Sequence, residues 1–236
     1  FLILLCIIFA SRVSAETGYF YPADRFSNSI ITDLCQDKYG NVWIATDYGL
    51  NKFDGYQFTT YLHEESDPSS LCHNAVVTLL CDSDGNLWIG TNRGLDRYDF
   101  ANDSFVHYPF PNDYRPRIPH MIQQANGDIF VSTSGFGAYL ISRGGSLKTT
   151  IDYTPKTDEP YYWEVFEDSK GRFWRCSDND IILRMDKAFY KFGSTVGIPF
   201  GFVERGEEIL IFGRRGIMLY RNAQMLDAGI DMSVLE

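Results

Sequence analysis

The string Gly40-Asn41-Val42-Trp43-Ile44-Ala45-Thr46, followed by Gly49-Leu50, returns as Gly85-Asn86-Leu87-Trp88-Ile89-Gly90-Thr91, followed by Gly94-Leu95. The two tryptophans are 45 residues apart. A period of this size, built from short apolar strands and glycine-bearing turns, marks a repeat architecture. Each copy is too small to bury its own apolar faces and must stack on its neighbours. Aligned on Thr46 and Thr91, the series continues to Thr133, Ser177 and Gly213, at intervals of 45, 42, 44 and 36 residues. Constant strands with variable intervals place the length differences in loops.

Each copy resolves into four short strands, in the second copy Val76–Cys81, Asn86–Thr91, Leu95–Tyr98 and Ser104–Tyr108. Between the first two strands lie Asp37-Lys38-Tyr39-Gly40, Asp82-Ser83-Asp84-Gly85, Gln124-Ala125-Asn126-Gly127 and Asp168-Ser169-Lys170-Gly171. These are hairpin sequences, with a polar starter and a glycine free to take positive φ. The second strand, as in Val42-Trp43-Ile44-Ala45, is apolar on both faces, whereas an antiparallel sheet with one wet face alternates. A blade packed between two neighbouring blades accounts for that. The expected fold is therefore all-β, a β-propeller of four-stranded antiparallel blades. Five blades are expected over 16–236. Ile230 to Glu236 reads as the first strand of a sixth, so a longer propeller is expected.

At 236 residues, 44% hydrophobic and 16% aromatic, the chain can bury a sizeable core. Phe1 to Ala10 is a short apolar run, and Val13-Ser14-Ala15 is a small-residue cleavage pattern, so residues 1–15 are expected to be a signal peptide with its start clipped. Bulky Leu5 before Cys6 argues against lipidation there. The net charge of −10, made more negative by loss of Arg12, excludes nucleic acid as a natural partner. Cys35, Cys72, Cys81 and Cys176 remain, in a compartment that permits disulfides, with no zinc-type spacing. For Cys35, Cys81 and Cys176, which fall within repeat strands, a small buried thiol is the expectation.

The strings Ile31-Thr32-Asp33-Leu34, Asp37 to Thr46, Gly49 to Phe58 and Asp67-Pro68-Ser69-Ser70-Leu71 resemble the two-component regulator propeller repeat. More narrowly, they are similar to the N-terminal sensor region of hybrid two-component systems of gut Bacteroidetes. The resemblance weakens in the third and fifth copies, where Phe130 and Leu210 replace tryptophan. It implies a periplasmic ectodomain that senses oligosaccharides, dimerises in the full-length protein and signals through a downstream helix to a histidine kinase. The kinase would control transcription of glycan-use genes. No kinase motif and no cofactor motif is present in the sequence itself, so this segment is expected to be no enzyme and to need no cofactor.

In a propeller, the turns joining strands two and three share one face with the loops joining successive blades, and ligands are sought there. The candidate ligand-binding residues on those loops are Tyr48, His73, Asn74, Asn92, Arg93, Arg117, His120, Tyr162, Trp163 and Arg214. Aromatic faces beside Arg and Asn suit sugar rings and their hydroxyls. No catalytic or metal-ligating residue is expected. Asp82, Asp84 and Asn86 lack the acidic twelfth ligand of a calcium loop, Arg93 standing there, and His63, His73, His107 and His120 have no metal-ligand spacing. A secreted propeller lyase or glycoside hydrolase, or a protein-binding scaffold, are the alternatives.

Overall fold

The computed structural model describes residues 27–134, 138–143, 145–151, 164–176, 180–185 and 188–227. The expected signal peptide, the expected opening of a sixth blade, and Tyr162 and Trp163 lie outside the described residues. Among the described residues, twenty strands form five four-stranded antiparallel sheets, each a simple meander. Blade 1 is β1 (Ile31–Gln36), β2 (Val42–Thr46), β3 (Gly49–Phe53) and β4 (Phe58–Tyr61). Blade 2 is β5 (Val76–Cys81), β6 (Leu87–Thr91), β7 (Gly94–Asp99) and β8 (Ser104–Tyr108). Blade 3 is β9 (Met121–Gln123), β10 (Ile129–Ser132), β11 (Ala138–Ile141) and β12 (Leu147–Ile151). Blade 4 is β13 (Glu164–Glu167), β14 (Phe173–Cys176), β15 (Asp180–Met185) and β16 (Ala188–Gly193). Blade 5 is β17 (Pro199–Arg205), β18 (Glu208–Gly213), β19 (Gly216–Arg221) and β20 (Gln224–Asp227). Pro199 and Phe200 open β17, where Pro199 pairs with Gly213. A first strand position tolerates a proline because its missing N–H is not needed there. Among the described residues, no helix is long and apolar enough to cross a membrane.

First strands of neighbouring blades approach one another, β1 to β5, β5 to β9, β9 to β13 and β13 to β17, so they line the centre. The core is divided into four apolar seams, one between each adjacent pair of blades. Trp43, Ala45 and Leu50 of blade 1 pack on Val76, Leu87, Ile89 and Phe105 of blade 2. Trp88 and Leu95 of blade 2 meet Met121, Ile129, Val131 and Tyr139 of blade 3. Phe130 and Ala138 pack on Val165 and Phe173 between blades 3 and 4, and Trp174, Ile181 and Leu183 on Ile209, Ile211 and Tyr220 between blades 4 and 5. The two-period of a strand sends Leu87 and Ile89 into one seam and Trp88 into the next. That is why β6 is buried at every position.

An aspartate at the start of the turn, buried in blades 1 and 4 and half-buried in blade 2, holds each of three seam tryptophans. Asp37 accepts hydrogen bonds from the N–H groups of Tyr39 and Asn41, from Asn41 Nδ2, and from Trp43 Nε1 at 2.8 Å. Asp82 repeats the pattern with Asp84, Asn86 and Trp88, and Asp168 with Lys170, Arg172 and Trp174. One side chain thus closes the hairpin and fixes the indole six residues on. Gly40, Gly85 and Gly171 supply the φ of +88°, +81° and +70° that each turn requires. Blade 3 has Gln124 and Phe130 at the corresponding places, so the carboxylate and the indole N–H are lost together.

Candidate functional site

At the opposite end of the blades from these hairpins, the β2–β3 and β6–β7 turns are pinned by threonine. Thr46 Oγ1 donates to the Gly49 carbonyl at 2.8 Å and accepts from the Tyr48 N–H. Thr91 Oγ1 does the same for Gly94 and Arg93. Each turn therefore presents one side chain in a fixed direction, Tyr48 from blade 1 and Arg93 from blade 2. Tyr48 is half exposed.

The loop from β4 to β5 folds over these turns through its own contacts. His63 N–H donates to Asn74 Oδ1 and His63 Nδ1 lies 2.6 Å from the Leu71 carbonyl, while Ser70 ties the loop to Glu64 and Asp67. Asn74 offers its carbonyl to Gly49 N–H. Two concavities result. One, of about 340 Å³, is bounded by Tyr48, His73, Asn74 and Arg93 together with His63 and Arg115. The other, of about 860 Å³, runs outward along the β6–β7 turn between the two interblade loops, past His107, Tyr108, Phe110 and Tyr114. Both share His63, Glu65, Cys72, Arg93 and Arg115, so they form one groove with Arg93 at its middle. Burial and the neighbouring Arg93 charge hold His73 below the ordinary imidazole range, so it is a neutral hydrogen-bonding group at neutral pH.

Cys72 and His107 of the groove lining meet the buried Asp96, the donor atoms of the three lying within 4.8 Å of one another. Those residue types can hold zinc. Here, however, Asp96 Oδ2 accepts the Cys72 N–H at 2.8 Å, Oδ1 lies 2.6 Å from His107 Nδ1, and Cys72 Sγ contacts Thr91 Oγ1 at 3.2 Å. Blade 1 builds the same brace from Ser27, Asn51, Thr60 and Thr46. Ser27 N–H donates to Asn51 Oδ1, Asn51 Nδ2 to Ser27 Oγ, Thr60 Oγ1 to Asn51 Oδ1, and Ser27 Oγ contacts Thr46 Oγ1. A polar cluster recurring with residues that do not bind metal is a strut between the interblade loop and the third strand. Burial and Asp96 push the Cys72 thiol far above its ordinary range, leaving no thiolate for nucleophilic work. The hydrogen bond to Asp96 raises His107.

The remaining candidates fall elsewhere. Asn92 Oδ1 accepts from Arg117 Nε at 2.9 Å, an adjacent polar pair linking blades 2 and 3. Arg214 sits on the β18–β19 turn of blade 5 and lines neither concavity. His120, expected on a ligand-facing loop, turns toward Glu164 at the start of β13, with Nδ1 3.6 Å from Oε2 and Nε2 buried. Burial lowers His120 to about 4. Burial first, then repulsion from Asp33, raises Glu164 to about 8. Both are uncharged at neutral pH, so the pair is a polar contact rather than a salt bridge. Sequence reasoning missed His63, Glu65, Arg115, Tyr108 and Tyr114. The signal available was the length of the loops from β4 to β5 and from β8 to β9.

The meandering four-stranded sheets, their central first strands and the loop-built groove on one rim define a β-propeller module. The family model for the two component regulator propeller matches residues 25–48 and 70–93, stretches that end on the Tyr48 and Arg93 turns of blades 1 and 2. A 52-residue stretch is 44% identical to histidine kinase P4 of Formosa agariphila, covering 22% of this chain and 4% of that protein. The chain is also similar in fold to the extracellular domain of the hybrid two-component system BT3049 of B. thetaiotaomicron, with TM-score 0.53 and 19% identity over 91% of this chain and 37% of that one. It is similar to virginiamycin B lyase from Staphylococcus aureus, with TM-score 0.65 and 18% identity over 84% of this chain and 69% of that one.

Proposed function

We propose that this chain is a ligand-sensing part of the extracytoplasmic region of a two-component sensor histidine kinase, and that its ligand is an oligosaccharide bound in the groove between blades 1 and 2. The observation that carries the reading is the convergence of Tyr48, His73, Asn74 and Arg93 on one groove within the two blades that match the regulator repeat. The chemistry of the lining narrows the ligand class. Asp47, Glu64, Glu65, Asp67 and Asp113 outnumber Arg93 and Arg115, so a polyanion would meet net repulsion. Neutral imidazole, amide and carboxylate groups beside tyrosine rings suit a hydroxyl-rich, uncharged sugar that stacks and hydrogen-bonds.

Signalling then requires that the ligand bind one arrangement of the paired full-length receptors more tightly than the other, which biases the kinase across the membrane. Titration calorimetry of the whole extracytoplasmic region against neutral and acidic oligosaccharides tests the reading. Saturable heat with a neutral sugar supports it, and heat with none would sink it.

A second reading, a secreted propeller lyase, has the likeness in fold to virginiamycin B lyase and the exposed His107 imidazole held by Asp96 in its favour. Chromatography of a bound sugar after prolonged incubation separates the two. A sensor returns the sugar intact.

A further inference from the structure

Cys35 on β1 and Cys81 on β5 face each other across the seam between blades 1 and 2, with their sulfurs 2.7 Å apart. Non-bonded heavy atoms rest at roughly 3.5–4.0 Å, so two thiols gain little from this approach. A covalent bond would accommodate it. Both residues are only partly buried and pack against the rim of the seam's apolar cluster. Cys81 also lines a cleft beside the Asp82 to Asn86 hairpin, which gives a reagent a path to its sulfur. Its hydrogen-bonding contact with Cys35 lowers the Cys81 thiol below its ordinary range, which makes Cys81 the first of the pair to become a thiolate. The other described cysteines are not placed to compete, since Cys176 is buried in the seam between blades 4 and 5 and Cys72 is engaged with Thr91.

We propose that Cys35 and Cys81 form a disulfide that staples the innermost strands of blades 1 and 2 once the chain meets a thiol–disulfide oxidant. The Cys81 thiolate attacks one sulfur of a disulfide RS–SR, breaking that bond and releasing RS⁻. The Cys35 thiolate then attacks the Cys81 sulfur of the mixed disulfide, forming the Cys35–Cys81 bond and releasing the second RS⁻. Two electrons pass from the cysteine pair to RS–SR, and the two thiol protons leave with the two RSH products. An oxidising compartment supplies such partners. The bond would join strands 46 residues apart in sequence and so restrict the unfolded chain. It would tie the sheet that carries Tyr48 to the sheet that carries Arg93, fixing the two sides of the groove. The chemistry does not depend on what the groove binds.

The test is a peptide map of the full chain, purified without reductant, exposed to oxidised glutathione and digested without reduction. The expected map holds a peptide joining Cys35 to Cys81, with two fewer titratable thiols, and the link disappears after reduction. Both cysteines remaining free for alkylation, or a link to any other cysteine, would overturn the proposal. The oxidised chain should also melt about 5 °C or more above the reduced one, and Cys35→Ser should abolish that difference. A bond that leaves the melting temperature unchanged would overturn the stapling role.

Discussion

Asp82 accepts the indole N–H of Trp88 at 2.8 Å across six residues of chain, tying the β5–β6 hairpin of blade 2 to the side chain that fills the seam with blade 3. Trp88 is 3% exposed, so both the ring and its one polar atom depend on this arrangement. Local turn chemistry and interblade packing are therefore a single unit. The Asp37–Trp43 and Asp168–Trp174 bonds repeat it.

Trp88→Ala removes the ring and leaves a cavity, with an expected cost of about 3–5 kcal/mol. Trp88→Phe keeps most of the volume and deletes only the donor, at about 1–3 kcal/mol for the carboxylate bond lost. Urea unfolding of both variants checks the order. No loss in Trp88→Phe would mean that the indole N–H contributes nothing, and equal losses in the two variants would mean that the ring adds nothing beyond it.

This coupling also marks how far the sequence could be read. The Asp37, Asp82 and Asp168 turns, their glycines and the doubly buried second strands were legible, because period, turn residues and apolar runs are local properties. The Asp-to-Trp bond was present only as a fixed spacing of six, visible once Gln124 and Phe130 are seen to change together. The groove was half legible. Tyr48, His73, Asn74 and Arg93 follow from their place on rim loops, but His63, Glu65 and Arg115 converge through loop folding that no periodicity encodes. Asn92, Arg117, His120 and Arg214 share the rim without sharing the groove.

Asp96 should tolerate asparagine, since Asn51 occupies its place in blade 1 and makes the corresponding contacts. Asp96→Leu should cost about 1–3 kcal/mol by leaving the Cys72 N–H and His107 Nδ1 without their acceptor. His107 is raised by Asp96, so the stability that pair contributes is full below the ordinary imidazole value of 6.5 and is lost as pH rises through the raised value. NMR titration of His107 should show its pKa falling toward 6.5 in Asp96→Asn. An unmoved titration would refute the assignment of the shift to Asp96.

Glu164 and His120 give stability a pH dependence of two signs. Glu164 keeps its proton in the folded chain up to about 8 rather than 4.5, so the fold loses stability as pH rises across that window and no further above it. His120, lowered from 6.5 to about 4, does the reverse, its contribution being complete above 6.5 and lost as pH falls through about 4. Glu164→Gln should flatten the decline on the alkaline side while leaving the acid side in place. Urea midpoints across this range decide it, and an unchanged alkaline slope in the variant would point to another group.

The Arg93 side chain projects from a turn held by its backbone and by Thr91, so removing it should leave the fold untouched. The most direct measurement is parallel calorimetry of the wild-type extracytoplasmic region and its Arg93→Ala variant against a neutral oligosaccharide that the wild type binds. The account predicts at least a tenfold loss of affinity, about 1.4 kcal/mol, with an unchanged melting temperature. Equal affinity in the two proteins would contradict the placement of recognition in the groove between blades 1 and 2.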